Sequence, residues 1–300
     1  MLALCSSAQA VDPIPANRQV SASIVNVIAA PANNAMHMPT DVAIDSQGRI
    51  YVADGANDRI VWFEPNGRFA AAISAVNGEK LSRPVGIFID AKDRLWIADS
   101  GNHRILGVQP TGVPEIVTPP PTEKGAPCDP TDLVVSAEGR RMYVVDNNGH
   151  RLLIRDNKTN TWTALGSFGR SLGQFQWPFM LCIGEDRYIY VSEAIGARVQ
   201  RISPSDKWAG EVGHWGVNLG EFYRPKGLAA DSKCRVYVGD STMGVIQVFS
   251  AKGRVQGVLA GKDGMPLHFD HPMGICFDRN GKLYVVELKA NRVAVVDLGK

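Results

Sequence analysis

Short apolar runs alternate with turn residues along almost the whole chain. The first clear set runs Val42 to Asp45, Ile50 to Asp54, Ile60 to Phe63 and Phe69 to Ile73. Turns at Ser46-Gln47-Gly48 and Pro65-Asn66-Gly67 separate these runs. The runs are short and rich in β-branched or aromatic residues, which is the signature of strands bounded by turns. Helical periodicity is absent throughout, so the pattern predicts an all-β chain.

The set recurs. Each copy has a proline, an apolar strand ending in an acidic turn, and a second strand ending in an acid. The copies begin at Pro39, Pro84, Pro130, Pro178, Pro225 and Pro272, spaced 45, 46, 48, 47 and 47 residues. The second strands end at Asp54, Asp99, Asp146, Glu193, Asp240 and Glu287. Four strands per repeat with a period in the mid-forties predicts a blade of a β-propeller. Six copies predict a six-bladed ring. The sixth copy ends after its third strand, Arg292 to Asp297, whereas Ser23 to Ala29 precedes the first copy and has strand character. That early segment is expected to supply the outer strand of the last blade, closing the ring and removing an open edge. The expected organisation is a propeller over 23–300, a linker over 11–22 and a signal-peptide remnant over 1–10.

Asp54-Gly55-Ala56-Asn57-Asp58-Arg59-Ile60 and Asp99-Ser100-Gly101-Asn102-His103-Arg104-Ile105 share a pattern that resembles NHL repeats. The linker Gly166-Ser167-Phe168-Gly169-Arg170-Ser171-Leu172-Gly173-Gln174-Phe175 is of the same type. Among NHL-type propellers, the stretch Cys128-Asp129-Pro130-Thr131-Asp132-Leu133 looks most like the peptidyl-hydroxyglycine amidating lyases. That resemblance implies three zinc-binding histidines, each directly after a repeat proline. Here those positions hold Thr40, Val85, Thr131, Phe179, Lys226 and Met273, none of them histidine. It also implies a catalytic tyrosine after an Asp-Gly pair, where Asp54-Gly55 is followed by Ala56. It further implies a channel calcium held by an aspartate two residues after a repeat proline, a position matched by Asp41 and Asp132. The alternative for both is an aspartate capping backbone N–H groups at the channel mouth.

The balance of 45% hydrophobic and 21% charged residues is ample for a large core. A net charge of +2 gives no reason to expect nucleic acid as a partner. No run approaches the roughly 18 apolar residues of a membrane span. The opening residues end in Ala8-Gln9-Ala10, a small-residue cleavage pattern, so a periplasmic or secreted protein is expected. Cys128, Cys182, Cys234 and Cys276 have neither zinc-knuckle nor redox spacing and are expected to be mostly buried thiols.

The second-strand acid is followed five residues later by a base at Arg59, Arg104, Arg151, Arg198 and Arg292, but by Val245 in the fifth copy. Repetition argues that these pairs brace the blades rather than bind a ligand. Gly169-Arg170-Ser171-Leu172-Gly173 matches a hydrolase pattern but lies in an inter-blade linker, not a strand-to-helix elbow. His37 with Met36 and Met38, and His268 and His271 with Met265 and Met273, form a second candidate metal cluster. Imidazole and thioether together suit copper, and imidazole alone suits zinc; the alternative is gap-filling methionine. Trp177, Phe179, Met180, Arg224, Lys226, Met243 and Met273 are expected on or near one face, where a ligand patch competes with blade packing.

The reading that follows is an exported, monomeric binding or scaffold propeller for a protein, peptide or small molecule, with calcium as a candidate channel cation. The rival is a metal-assisted lyase or hydrolase using Asp41, Asp132, Glu193 and Glu287 or the histidines.

Overall fold

The computed structural model describes residues 15–109 and 113–299. The expected signal-peptide remnant over 1–10 lies outside them. The chain forms six antiparallel four-stranded blades, the first five built in chain order from the inside outward and the sixth in chain order for its inner three strands. The first strands are Asp41–Ile44, Pro84–Ile89, Pro130–Val135, Pro178–Ile183, Pro225–Ala230 and Pro272–Phe277. They line a central channel. First strands begin and second strands end on the same face, called the proline face below. In blades one, two, five and six the acidic turns between them are Asx-type. Asp45 Oδ1, for example, accepts the N–H groups of Gln47 and Arg49.

Ring closure is as expected. Ser23–Ile28 pairs antiparallel with Arg292–Asp297, with Ser23 opposite Asp297 and Ile28 opposite Val293. Part of the stretch read as linker has a further role. Gln19–Ser21 adds a fifth, parallel strand to the outer edge of blade five, against Val255–Ala260. Gly257 permits this contact, because a Cβ there would stand 2.3 Å from the Arg18 carbonyl oxygen. Ala22 then carries the chain from blade five to blade six, its N–H bonding Ala260 at 2.9 Å.

The core is divided into six buried clusters, each bridging two neighbouring blades. Stability therefore rests on blade-to-blade interfaces, as in other repeat proteins. One device recurs at every interface. The second-strand acid is buried and accepts the backbone N–H of the residue 17 positions upstream. The donors are His37, Ser82, Asp129, Gln176, Tyr223 and Asp270, at 2.6–3.0 Å. The residue just before each donor is buried: Met36, Leu81, Cys128, Phe175, Phe222 and Phe269, all 3% exposed or less. A buried side chain and a latched N–H thus fix where each inter-blade linker enters its blade.

The paired arginine completes the latch. Its Nε meets the acid at 2.6–2.7 Å in five blades. In blades one to four the guanidinium also reaches linker carbonyls, such as Pro120 from Arg151 and Gln174 from Arg198. The bracing role expected of these pairs is what the geometry provides.

Replacing Asp146 by Ala removes the acceptor for the Asp129 and Gly149 N–H groups and for Arg151 Nε. Breaking one side of a buried pair costs about 3–5 kcal/mol. Urea denaturation of Asp146→Ala is expected to show a loss of that size, and a loss below about 1 kcal/mol would remove the latch as a main support.

Candidate functional site

Two positions per blade lie at the proline end of the first strand: the residues one and two places after the repeat proline. In five blades the pairing of first and second strands is irregular here, which re-aims these residues. The second of the two positions holds Asp41, Gly86, Asp132, Met180, Gly227 and Gly274 around the ring. The aspartates and glycines fit together. A Cβ at Gly274 would stand 1.9 Å from Asp41 Oδ1, and one at Gly86 would stand 2.5 Å from Asp132 Oδ1. Each aspartate accepts one N–H from its own blade and one from the next. Asp41 takes Val42 at 2.9 Å and Ile87 at 2.8 Å. Asp132 takes Leu133 at 2.8 Å and Leu181 at 2.9 Å.

Burial dominates the electrostatics of this pair. It pushes the Asp41 carboxyl up from an ordinary 3.8 to about 7, against the pull of the two N–H groups. Burial also raises Asp132, and the charge of Asp41 adds to the effect. The same desolvation raises the thiols of Cys182 and Cys276, which also line the channel.

The mouth of the channel is capped by the residues directly after the prolines. Thr40 and Thr131 donate across to the carbonyls of Val85 and Phe179, at 2.6 and 2.8 Å. Phe179 and Lys226 face each other, with the ammonium 4.7 Å from the ring centroid. Lys226 is half-buried, and both burial and the nearby Arg224 lower its pKa. Among the described residues, the side chains of Lys226 and Arg224 form no hydrogen bond or ion pair, and the same holds for Arg170.

Outside the mouth, exposed apolar groups gather on the linkers entering blades four and five. These linkers fold alike. Phe175 and Phe222 are buried beside Gly166 and Gly213, while Phe168 and Trp215 point outward, 57% and 69% exposed. Phe168, Trp177 and His150 form one aromatic group, with centroids 4.8–5.8 Å apart. Trp215 lies 6.5 Å from Tyr223. A groove of about 450 Å³ joins the two linkers, lined by Arg170, Gln176, Ile195, His214 and Trp215 among others. The serine of the hydrolase-like pattern, Ser171, sits in the first of these linkers, its carbonyl oxygen accepting the Gln174 N–H in a tight turn.

The candidate residues are thus distributed over several places. Trp177, Phe179, Arg224 and Lys226 share the mouth and the linkers beside it. Met180 lines the channel, and Met180 and Met273 are buried, at 2% and 3% exposed. Met243 lies in a separate cavity beside Val245. The two Met/His segments meet through their methionines: Met36 is the buried residue of its linker and packs in one cluster with Met273, while His37 faces outward. His268 lies over Gly244, and His271 pairs with Asp270 at 3.0 Å. Among the described residues, no three His, Cys, Asp or Glu side chains gather as metal ligands. His103 and His150 are inter-blade braces: His103 Nδ1 donates to the Cys128 carbonyl at 2.8 Å, and His150 Nδ1 accepts the Trp177 N–H at 3.2 Å. All four cysteines in the described residues are free thiols.

This arrangement is a six-bladed β-propeller, and two of its repeats match the NHL repeat. The NHL repeat family model matches residues 36–63 and 81–107, each span running from the buried linker residue into the third strand. No curated protein sequence matches the chain. Solved structures share the fold at low identity. A gluconolactonase from Xanthomonas campestris is 14% identical, with a TM-score of 0.68 over 96% of this chain and 99% of that one. A catalytically inactive virginiamycin B lyase from Staphylococcus aureus with quinupristin is 14% identical, with a TM-score of 0.65 over 96% and 98%. An auxiliary nutrient binding protein from Bacteroides thetaiotaomicron is 12% identical, with a TM-score of 0.69 over 92% and 76%. One fold serving enzymes and binding proteins leaves function to the site.

The Asp41 shift has a measurable consequence. Its folded-state pKa is raised, so its stabilising contribution is complete below about pH 4 and is lost as pH rises through about 7. Between pH 5 and 8 the wild type is expected to lose on the order of 1–3 kcal/mol more than Asp41→Asn. Denaturation midpoints across that range check this, and equal slopes for the two proteins would contradict it.

Proposed function

We propose that the chain is a binding propeller whose proline face holds an extended polypeptide segment bearing carboxylates beside apolar side chains. One observation carries this reading. Blades four and five place Trp177-Pro178-Phe179 next to Arg224-Pro225-Lys226 at equivalent positions, beside a groove flanked by Trp215 and Arg170. Trp177 and Trp215 are exposed, and among the described residues the three cations have no hydrogen-bond or carboxylate partner. A half-buried ammonium resting on a ring gains from an incoming carboxylate, while exposed tryptophan supplies contact area at low entropic cost. The scaffold positions repeat around the ring, but this decoration does not, as expected of a site placed on a regular frame.

The second reading is a metal-assisted lyase or hydrolase, favoured by the two raised carboxyls in one channel. Their four oxygens already receive four N–H groups, which supports a stapling role instead. A bound calcium ion would have to share those oxygens.

Selection from a random peptide library displayed on phage tests the first reading. Enriched sequences are expected to pair Asp or Glu with aromatic residues. Their affinity is expected to fall at least about tenfold in Arg224→Ala/Lys226→Ala and in Trp215→Ala, and to weaken with added salt. Enrichment that is indifferent to these substitutions would refute it. Turnover of lactone, ester or hydroxyglycine substrates with calcium or zinc, lost in Asp41→Asn, would put the second reading first.

A further inference from the structure

Blade five departs from the latch at one point, where Val245 replaces the arginine. Blade four shows what that arginine fills. Arg198 binds Glu193 at 2.7 Å, Glu211 on the outer strand at 2.6 Å, and the carbonyls of Arg170, Ser171 and Gln174. Glu211 stands opposite Gln200 in the blade-four register, and Val258 stands opposite Gln247 in blade five. Both charged members of the blade-four pair are therefore valine in blade five. Asp240 does not need the lost base. Its carboxylate accepts the N–H groups of Tyr223, Arg224, Thr242 and Met243.

The vacated space is not refilled. A cavity of about 420 Å³ remains, lined by Val217, Leu219, Met243, Val245, Val258 and Met265, among others. That volume falls within the roughly 300–1,000 Å³ typical of small-molecule sites. No charged side chain lines it. Gln247 is already committed, bonding the Gly220 N–H and the Glu221 carbonyl at 2.7 Å each. His268, also in the lining, has no hydrogen-bond partner among the described residues.

We propose that this cavity is a binding site for a small uncharged molecule with an apolar body and one hydroxyl, carbonyl or amine group turned toward His268. A charged ligand would lose its hydration and find no counter-charge. An apolar one displaces water from valine, leucine and methionine walls, and the flexible thioethers of Met243 and Met265 adapt to its outline. The site shares no lining residue with the groove at Trp215, so it stands or falls independently of the peptide reading.

The repeat itself supplies the test. Val245→Arg restores opposite Asp240 the base that five other blades carry, and so fills the cavity with a side chain the blade accommodates. The probe is N-phenyl-1-naphthylamine, a neutral molecule whose emission rises in apolar surroundings. The wild type is expected to bind it saturably, one per chain. Val245→Arg is expected to bind at least about tenfold more weakly with an unchanged or higher melting temperature. His268→Leu is expected to weaken binding by about three- to tenfold, the worth of one hydrogen bond. Should the arginine variant fail to fold, Val245→Phe blocks the cavity without adding charge. Absence of saturable binding in the wild type, or equal binding by a folded Val245 variant, would overturn the proposal.

Discussion

In every blade a buried carboxylate holds a backbone N–H from 17 residues upstream, and most of the architecture follows from that bond. The donor lies in the linker from the preceding blade. The bond therefore spans the seam at which two blades must pack, and it does so at a fixed place. The buried residue just before the donor inserts into the same seam. Because the acid is shielded from water, its hydrogen bonds are charge-assisted and are not screened as surface pairs are. Arginine neutralises the carboxylate in five blades, and four backbone N–H groups serve Asp240 in the fifth. Two solutions to one electrostatic problem coexist in one ring, and the fifth leaves space behind.

A regular frame of this kind separates support from recognition. Positions that recur six times with the same chemistry hold the ring; positions that break the repeat are free to do something else. The channel shows the boundary between the two. Asp41 and Asp132 look exceptional against the glycines at their repeat position, yet each reaches into the space that a neighbouring glycine leaves open. Their departure from the repeat is thus paired, blade against blade. The aromatic and cationic residues of blades four and five have no such compensation elsewhere in the ring.

The ring, its blade count and its closing strand were legible in the sequence because proline and acid recur in tight register and turn chemistry separates the strands. The acid–base pairs were legible for the same reason. The buried linker residues were not. Met36, Leu81, Cys128, Phe175, Phe222 and Phe269 share only apolarity and distance from an acid, and Met36 beside His37 resembles a soft metal ligand as strongly as it does a core residue. The strand Gln19–Ser21 is too short to carry a periodic signal, and its partner lies more than 200 residues away. Val245 was visible as a break in the pattern, but its meaning depends on Val258, thirteen residues further on and brought beside it only by the blade register, opposite Gln247.

The closing strand also imposes an order on folding. Ser23 to Ile28 pairs with a strand that emerges from the ribosome some 270 residues later. Until Arg292 to Asp297 exist, Ile24, Val25 and Val27 belong to a strand without a partner. The intervening blades can pack on one another as they are made, each seam needing only its neighbours. The final seam is different in kind. It joins the first and last strands of the four-stranded blades, carries the largest loop-closure cost of any blade pairing, and is the step that turns an open stack of blades into a closed one.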